Sequence, residues 1–242
     1  MKISIVSYLN SKPFIFGLEM HAAGAFELSL DIPSECARKL MSGEVEIGLV
    51  PVAVLKLMPH YHILSEYCIG AIGKVDSVKL YSAVPLSEIS HVQLDYQSRT
   101  SVALVKILAK ELWKIDPIWE SSSPGYENQI NGNRAAVIIG DRTFGLNGKY
   151  ACEYDLSEAW FELTGLPFVF AVWVSKEQLN PELIRLFSES LRMGLAEIPK
   201  VVSINQGNYP GTDINQYLTQ SISYRLDEAK RKALSLFLSK LE

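Results

Sequence analysis

The sequence predicts an α/β fold of two lobes with a cleft between them. Three observations carry this. Over residues 3–57, short apolar runs alternate with segments whose apolar positions recur at helical spacing, the pattern of a parallel sheet with right-handed crossovers. A length of 242 residues suits one large domain or two small lobes. A second set of strand-like and helical runs starts near residue 92 and ends in a long apolar strand at 168–174, which fits a return crossing.

The elements follow in order. Residues 3–7 read as a buried strand. Asn10 or Ser11 is placed to cap the next helix, and Pro13 suits its first turn. Residues 26–30 form a second strand. Ile32-Pro33-Ser34 then opens a helix in which Cys36, Ala37, Leu40 and Met41 share a face and which Gly43 stops. Residues 45–50 give a third strand, and Pro51 starts a helix over 52–57. Strand-like runs at 62–72 and 77–82 come next, with a crossing between lobes expected near the end of the stretch 62–95. Beyond it, Ser98 to Ser101 cap a helix running to Trp113, with Val102, Val105, Leu108, Ala109 and Leu112 on one face. Strands are expected at 118–120 and 135–139, a short helix at 126–130, and a helix at 156–164 stopped by Gly165. The remainder is mostly helical, broken near Pro199 and between Gly207 and Gly211. The expected lobes are residues 1–87 with 174–242, and residues 88–173. Open α/β sheets bind ligands beyond the carboxyl ends of their strands, which makes the cleft the expected site.

Composition narrows the partners. Hydrophobic residues make up 48% and charged residues 21%, ordinary for a globular chain. A net charge of −4, from 23 basic and 27 acidic residues, recommends no nucleic acid. No apolar run approaches the roughly 20 residues that cross a bilayer, so no membrane is expected. The opening Met1-Lys2-Ile3-Ser4-Ile5-Val6 lacks the long apolar region and cleavage site of a signal peptide, and a cytoplasmic location is expected. Cys36, Cys68 and Cys152 are odd in number and widely spaced, which fits reduced thiols better than a disulfide framework.

Small polar groups gather at four strand ends or turns: Asn10 and Ser11, Pro51, Ser98 to Ser101, and Gly140 with Asp141. Helix N-termini expose free N–H groups and suit a carboxylate or phosphate. Any one of these residues alone is equally a plain cap. Arg99 could pair with a carboxylate or sit exposed, and Asp141 could act as a base or cap its own turn. None of the four histidines has metal-ligand spacing. There is no G-x-S-x-G elbow and no Walker loop, and Gly70-Ala71-Ile72-Gly73 is not a dinucleotide fingerprint.

The strings carry more than their local chemistry. Ser7-Tyr8-Leu9-Asn10-Ser11-Lys12-Pro13 resembles the opening motif of the MqnA family, the chorismate dehydratases of the futalosine route to menaquinone. Gly48-Leu49-Val50-Pro51-Val52-Ala53 resembles that family's second block, and the segment from Cys68-Ile69-Gly70 to Ser77-Val78 its third. Leu94-Asp95 with Ser98-Arg99-Thr100-Ser101-Val102-Ala103-Leu104 is similar to a fourth. Ile138-Ile139-Gly140-Asp141, and Trp160 through Gly165-Leu166-Pro167-Phe168-Val169-Phe170-Ala171-Val172-Trp173, match the last two. The blocks keep family order over residues 3–174.

The resemblance implies a periplasmic-binding-protein-like (type II) fold and a cytosolic enzyme that converts chorismate to 3-[(1-carboxyvinyl)oxy]benzoate and water. It implies no metal or organic cofactor. Asn10 and Ser77 become the expected catalytic residues. Ser7, Tyr8, Pro51, Ser98, Arg99, Thr100, Ser101, Gly140 and Asp141 become the expected substrate contacts. The cap at 98–101 would hold one carboxylate, and Asn10 with Ser77 the other end or the departing hydroxyl. Two departures stand out: Lys74 and Asp76 replace an expected proline and arginine, and Arg142-Thr143-Phe144 replaces small apolar residues.

The proton acceptor stays open between a carboxylate of the substrate and Asp141. Two rival functions share the fold. One is a small-acid solute-binding module, disfavoured by the start of the chain and by the matched strings. The other is the related enzyme forming 1,4-dihydroxy-6-naphthoate, disfavoured by the Ser-Tyr-Leu-Asn and Ser-Arg-Thr-Ser strings.

Overall fold

The computed structural model describes residues 1–241. In chain order it runs β1 (Lys2–Val6), α1 (Lys12–His21), β2 (Glu27–Asp31), α2 (Pro33–Ser42), β3 (Ile47–Pro51), β4 (His62–Ala71), β5 (Val78–Ser82) and β6 (His91–Leu94). Then come α3 (Arg99–Leu108), β7 (Ile118–Ser121), β8 (Arg134–Ile139), β9 (Cys152–Asp155), α4 (Leu156–Thr164) and β10 (Phe168–Ser175). The C-terminal helices are α5 (Pro181–Ala196), α6 (Ile198–Asn205), α7 (Ile214–Gln216) and α8 (Glu228–Ser239). A 3-10 turn at Leu9–Ser11 leads into α1, another at Val52–Leu57 follows β3, and a π-helical turn at Tyr217–Ser221 extends α7.

Two five-stranded sheets divide the molecule. The first has the order β2-β1-β3-β10-β4, and the second β7-β6-β8-β5-β9. β1 pairs in parallel with β2 and β3, and β6 with β7 and β8, as β-α-β crossovers require. β10 runs antiparallel to β3 and β4, and β5 antiparallel to β8 and β9. β3 and β10 are buried along their whole length, and such strands read as continuous apolar runs rather than alternations. The C-terminal segment around residues 222–226 lies along the free edge of β4. Its backbone exchanges bonds with Cys68 (2.7 Å), Gly70 (2.8 Å) and Glu66 (2.6 Å), so that edge is covered.

Sheet membership moves both expected lobe boundaries. β5 belongs to the second sheet, so the chain first crosses within residues 72–77 and not at 87. β10 belongs to the first sheet, so the chain returns within residues 165–167, before β10 rather than at its end. An apolar run says that a strand is buried. It does not say which neighbour fills its hydrogen bonds, and that choice fixes the boundary. β9, which the sequence leaves unassigned, pairs with β5 as the edge of the second sheet.

Candidate active site

The carboxyl ends of β1 and β3 in the first lobe face the carboxyl end of β8 and the start of α3 in the second. Between them lies a small hollow. Its polar wall is made by Tyr8, Asn10, Ser77, Ser98 and Ser101 with the backbone at Gly140. Its apolar wall includes Val6, Ile69, Val75, Phe170 and Pro51. No residue lining it carries a charge.

Asn10 follows β1 in the 3-10 turn, buried to 8% exposure. Its carbonyl oxygen accepts from the Tyr224 hydroxyl (3.0 Å), which fixes the backbone. The Ser11 hydroxyl donates to Asn10 Oδ1 (3.2 Å), and Asn10 Nδ2 donates to the Tyr217 hydroxyl (3.4 Å). The amide orientation is therefore set from both ends.

Ser77 stands immediately before β5. Its carbonyl accepts from the Gly140 N–H (2.8 Å), and its Oγ accepts from the Tyr217 hydroxyl (2.8 Å). The loop before it is held by Asp155, whose carboxylate accepts from the N–H groups of Val75 (3.1 Å) and Asp76 (2.8 Å) while also capping α4 at Ser157 (2.9 Å) and Glu158 (3.1 Å). Asp76 adopts a left-handed φ of 62° and accepts from the Ser221 hydroxyl (2.6 Å).

At the start of α3, Ser98 is a true N-cap: its Oγ accepts from the Ser101 N–H (3.1 Å). Tyr8 lies flat against Gly140, where a Cβ would come within 2.5 Å of the ring and where φ is +65°, so only glycine fits. The Tyr8 hydroxyl bonds to Gln97 in the other lobe, and burial raises the pKa of the phenol.

Of the eleven residues expected at the site, seven line this hollow: Tyr8, Asn10, Pro51, Ser77, Ser98, Ser101 and Gly140. Four do not. Ser7 sits at the end of β1, where its N–H bonds to the Asp31 carbonyl (2.9 Å). Arg99 is exposed and faces a separate surface groove shared with Lys56 and Lys106. Thr100 turns toward the first lobe, where its Oγ1 accepts from the Ala53 N–H (3.1 Å). Asp141 uses both carboxylate oxygens on the Leu9 N–H (3.0 and 3.1 Å), and burial raises its pKa to about 6. Thr100 and Asp141 thus tie the lobes together and do not contact the hollow.

Arg142, one of the departures from the motif, is consumed inside the second lobe. It pairs with buried Asp95 (2.5 Å) and with Glu127 (2.7 Å), and lies over the rings of Tyr96 and Tyr126. Among the described residues no group of three or more His, Cys, Asp or Glu is placed to hold a metal ion.

Sequence reasoning missed Asp155, Tyr217 and Tyr224. Asp155-Leu156-Ser157-Glu158 carries a legible capping signal. Nothing local marks the two tyrosines, whose partners lie 140 and 214 positions away.

Two α/β lobes, the first completed by the chain's return after the second, closing over a hollow, define a periplasmic-binding-protein-like fold. Solved structures agree. A protein from Archaeoglobus fulgidus superposes with a TM-score of 0.75 at 15% identity, covering 99% of this chain and 95% of that one. A Candida albicans protein described as having the generic periplasmic binding protein fold gives 0.63 at 12% identity, covering 98% and 89%. The periplasmic aliphatic sulphonate binding protein of Escherichia coli gives 0.60 at 11% identity, covering 99% and 86%. The chain belongs to the menaquinone biosynthesis family, whose model matches residues 1–242. It is 29% identical to the chorismate dehydratase of Thermus thermophilus, over 95% of this chain and 96% of that protein. It is 25% identical to the chorismate dehydratase of Campylobacter jejuni, over 82% and 96%. Among the described residues no helix is long and apolar enough to cross a membrane.

Proposed function

We propose that this protein is a chorismate dehydratase, a hydro-lyase that removes water from chorismate to give 3-[(1-carboxyvinyl)oxy]benzoate, acting in the cytoplasm. The observation that carries the reading is the meeting of Asn10 and Ser77, from opposite lobes, in one uncharged hollow at the start of α3. Family membership and the two dehydratase relatives support the same reaction.

The chemistry follows from the walls. Chorismate carries two carboxylates on a small ring. Apolar side chains such as Val6, Ile69 and Phe170 suit the ring, and N–H and O–H donors at Asn10, Ser77 and the first turn of α3 suit the anionic and hydroxyl groups. The reaction removes a ring proton and the neighbouring hydroxyl as water and leaves an aromatic ring, so the driving force resides in the substrate. Among the described residues no carboxylate, imidazole or amine lines the hollow, and Asp141 is engaged with Leu9. A carboxylate of the substrate itself is then the proton acceptor. Asn10 and Ser77 orient the ring and stabilise the departing hydroxyl by hydrogen bonds.

Incubation of purified protein with chorismate, followed by mass spectrometry, tests this. Release of the enolpyruvyl benzoate supports the dehydratase. Tight retention of unchanged chorismate would instead make the protein a solute-binding module.

A further inference from the structure

We propose that Tyr217 is a positioning residue that aims the Ser77 hydroxyl and the Asn10 amide into the hollow. This rests on the dehydratase reading and deepens it. Tyr217 does not line the hollow; it lies directly behind it, at the first position of the π-helical turn. Its ring is 3% exposed and packs edge-on against Phe144, with centroids 5.1 Å apart.

The hydrogen-bond inventory gives Tyr217 its role. Ser77 Oγ has one proton to donate and lone pairs to accept with. The Tyr217 hydroxyl donates to that oxygen at 2.8 Å, which occupies the side facing the protein and leaves the Ser77 proton directed at the hollow. Asn10 Nδ2 has two protons, and one is placed on the Tyr217 oxygen at 3.4 Å. The second is left for a ligand. One phenol therefore turns two side chains, carried by different lobes, into donors facing one point.

Among the described residues no other group does this. The remaining bonds fix the Ser77 and Asn10 backbones and the Asn10 carbonyl end, but not the direction of the Ser77 proton. Burial raises the Tyr217 pKa, so the phenol keeps its proton and its donor role at neutral pH. A departing hydroxyl needs donors, and a Ser77 that donated to its protein neighbour would offer the substrate only lone pairs.

The test compares wild type with Tyr217→Phe, which keeps the ring against Phe144 and removes only the hydroxyl. The expected result is a fall in kcat on the order of 10–1,000-fold, with KM within about threefold of wild type. In a Ser77→Ala background the same change should cost clearly less than in wild type, because only the contact with Asn10 is then left to lose. Site-specific 3-fluorotyrosine at position 217, which restores shape and hydroxyl, should recover most of kcat and keep the folded state if the phenylalanine variant melts early. Undiminished kcat in Tyr217→Phe, effects that multiply with Ser77→Ala, or failure of the fluorotyrosine to rescue would each overturn the positioning role. Absence of product from the wild type overturns the dehydratase reading itself and is seen in a separate arm.

Discussion

Asn10 is held on three sides, by Ser11, Tyr217 and Tyr224, before any ligand arrives. Such preorganisation is what makes a single donor matter, because its orientation cost is met during folding. Asn10→Ala is therefore expected to lower turnover of chorismate on the order of 100–1,000-fold while leaving the thermal midpoint close to wild type. Product formation and a melting curve on the same sample check it. Gly140 is constrained differently. It needs both a left-handed backbone and the absence of a side chain, since a Cβ would meet the Tyr8 ring at 2.5 Å. Gly140→Ala should cost about 1–3 kcal/mol in urea denaturation and displace Tyr8 from the wall of the hollow. At this scale the sequence is informative where a motif is contiguous: Asn10 and Ser77 emerge from matched strings. It is misleading at Arg99 and Thr100, which share a string with Ser98 and Ser101 but point elsewhere, because successive helical positions are rotated by about 100°.

Between elements, two contacts decide how tightly the parts fit. Helices α1 and α5 touch through Gly17 and Gly194: a Cβ at Gly17 would lie 2.0 Å from the Ser190 carbonyl oxygen, and one at Gly194 2.0 Å from that of Pro13. Gly194→Ala must push the helices apart, and a loss of about 1–3 kcal/mol is expected by urea denaturation. The second contact joins the end of β8 to the turn after β1, where Asp141 accepts from Leu9. Burial raises the Asp141 pKa from 3.8 to about 6. The folded protein then holds this proton more tightly than the unfolded chain. Asp141 thus favours folding most below pH 4, and that contribution is lost as pH rises through 6. Asp155, also buried and raised to about 6, behaves alike in wild type and variant. The difference between the two therefore isolates Asp141. Asp141→Asn should flatten the fall in stability between pH 4 and pH 6, followed by denaturation at a series of pH values, and should retain turnover. Complete loss of turnover in this variant with the fold intact would return Asp141 to the chemistry.

On the scale of the whole molecule, the lobes already meet. Tyr8 reaches Gln97, Ser34 N–H bonds to the Gln97 carbonyl (3.0 Å), Thr100 accepts from Ala53, and Tyr217 bonds across to Ser77. A ligand seated between them contacts both, so binding should stabilise the two lobes together. Saturating chorismate or its benzoate product should raise a single melting transition, by an amount equivalent to about 2.7 kcal/mol at one hundred times Kd. Calorimetry checks this, and two separate transitions with only one shifted would show that the ligand sits on one lobe alone.

Local sequence determined the alternation of strands and helices, the caps at Ser98 and Gly43, the strand ends that carry Asn10, Ser77 and Gly140, and the family. These are properties of neighbouring residues: side-chain periodicity, backbone preference and the contiguity of motifs. Tertiary structure alone decided that β5 joins the second sheet and β10 the first. It also turned Asp141 and Thr100 into ties between lobes and set Tyr217 behind Ser77. Each of these is a hydrogen bond between residues far apart along the chain, and local preference has no term for a partner that only the finished fold supplies.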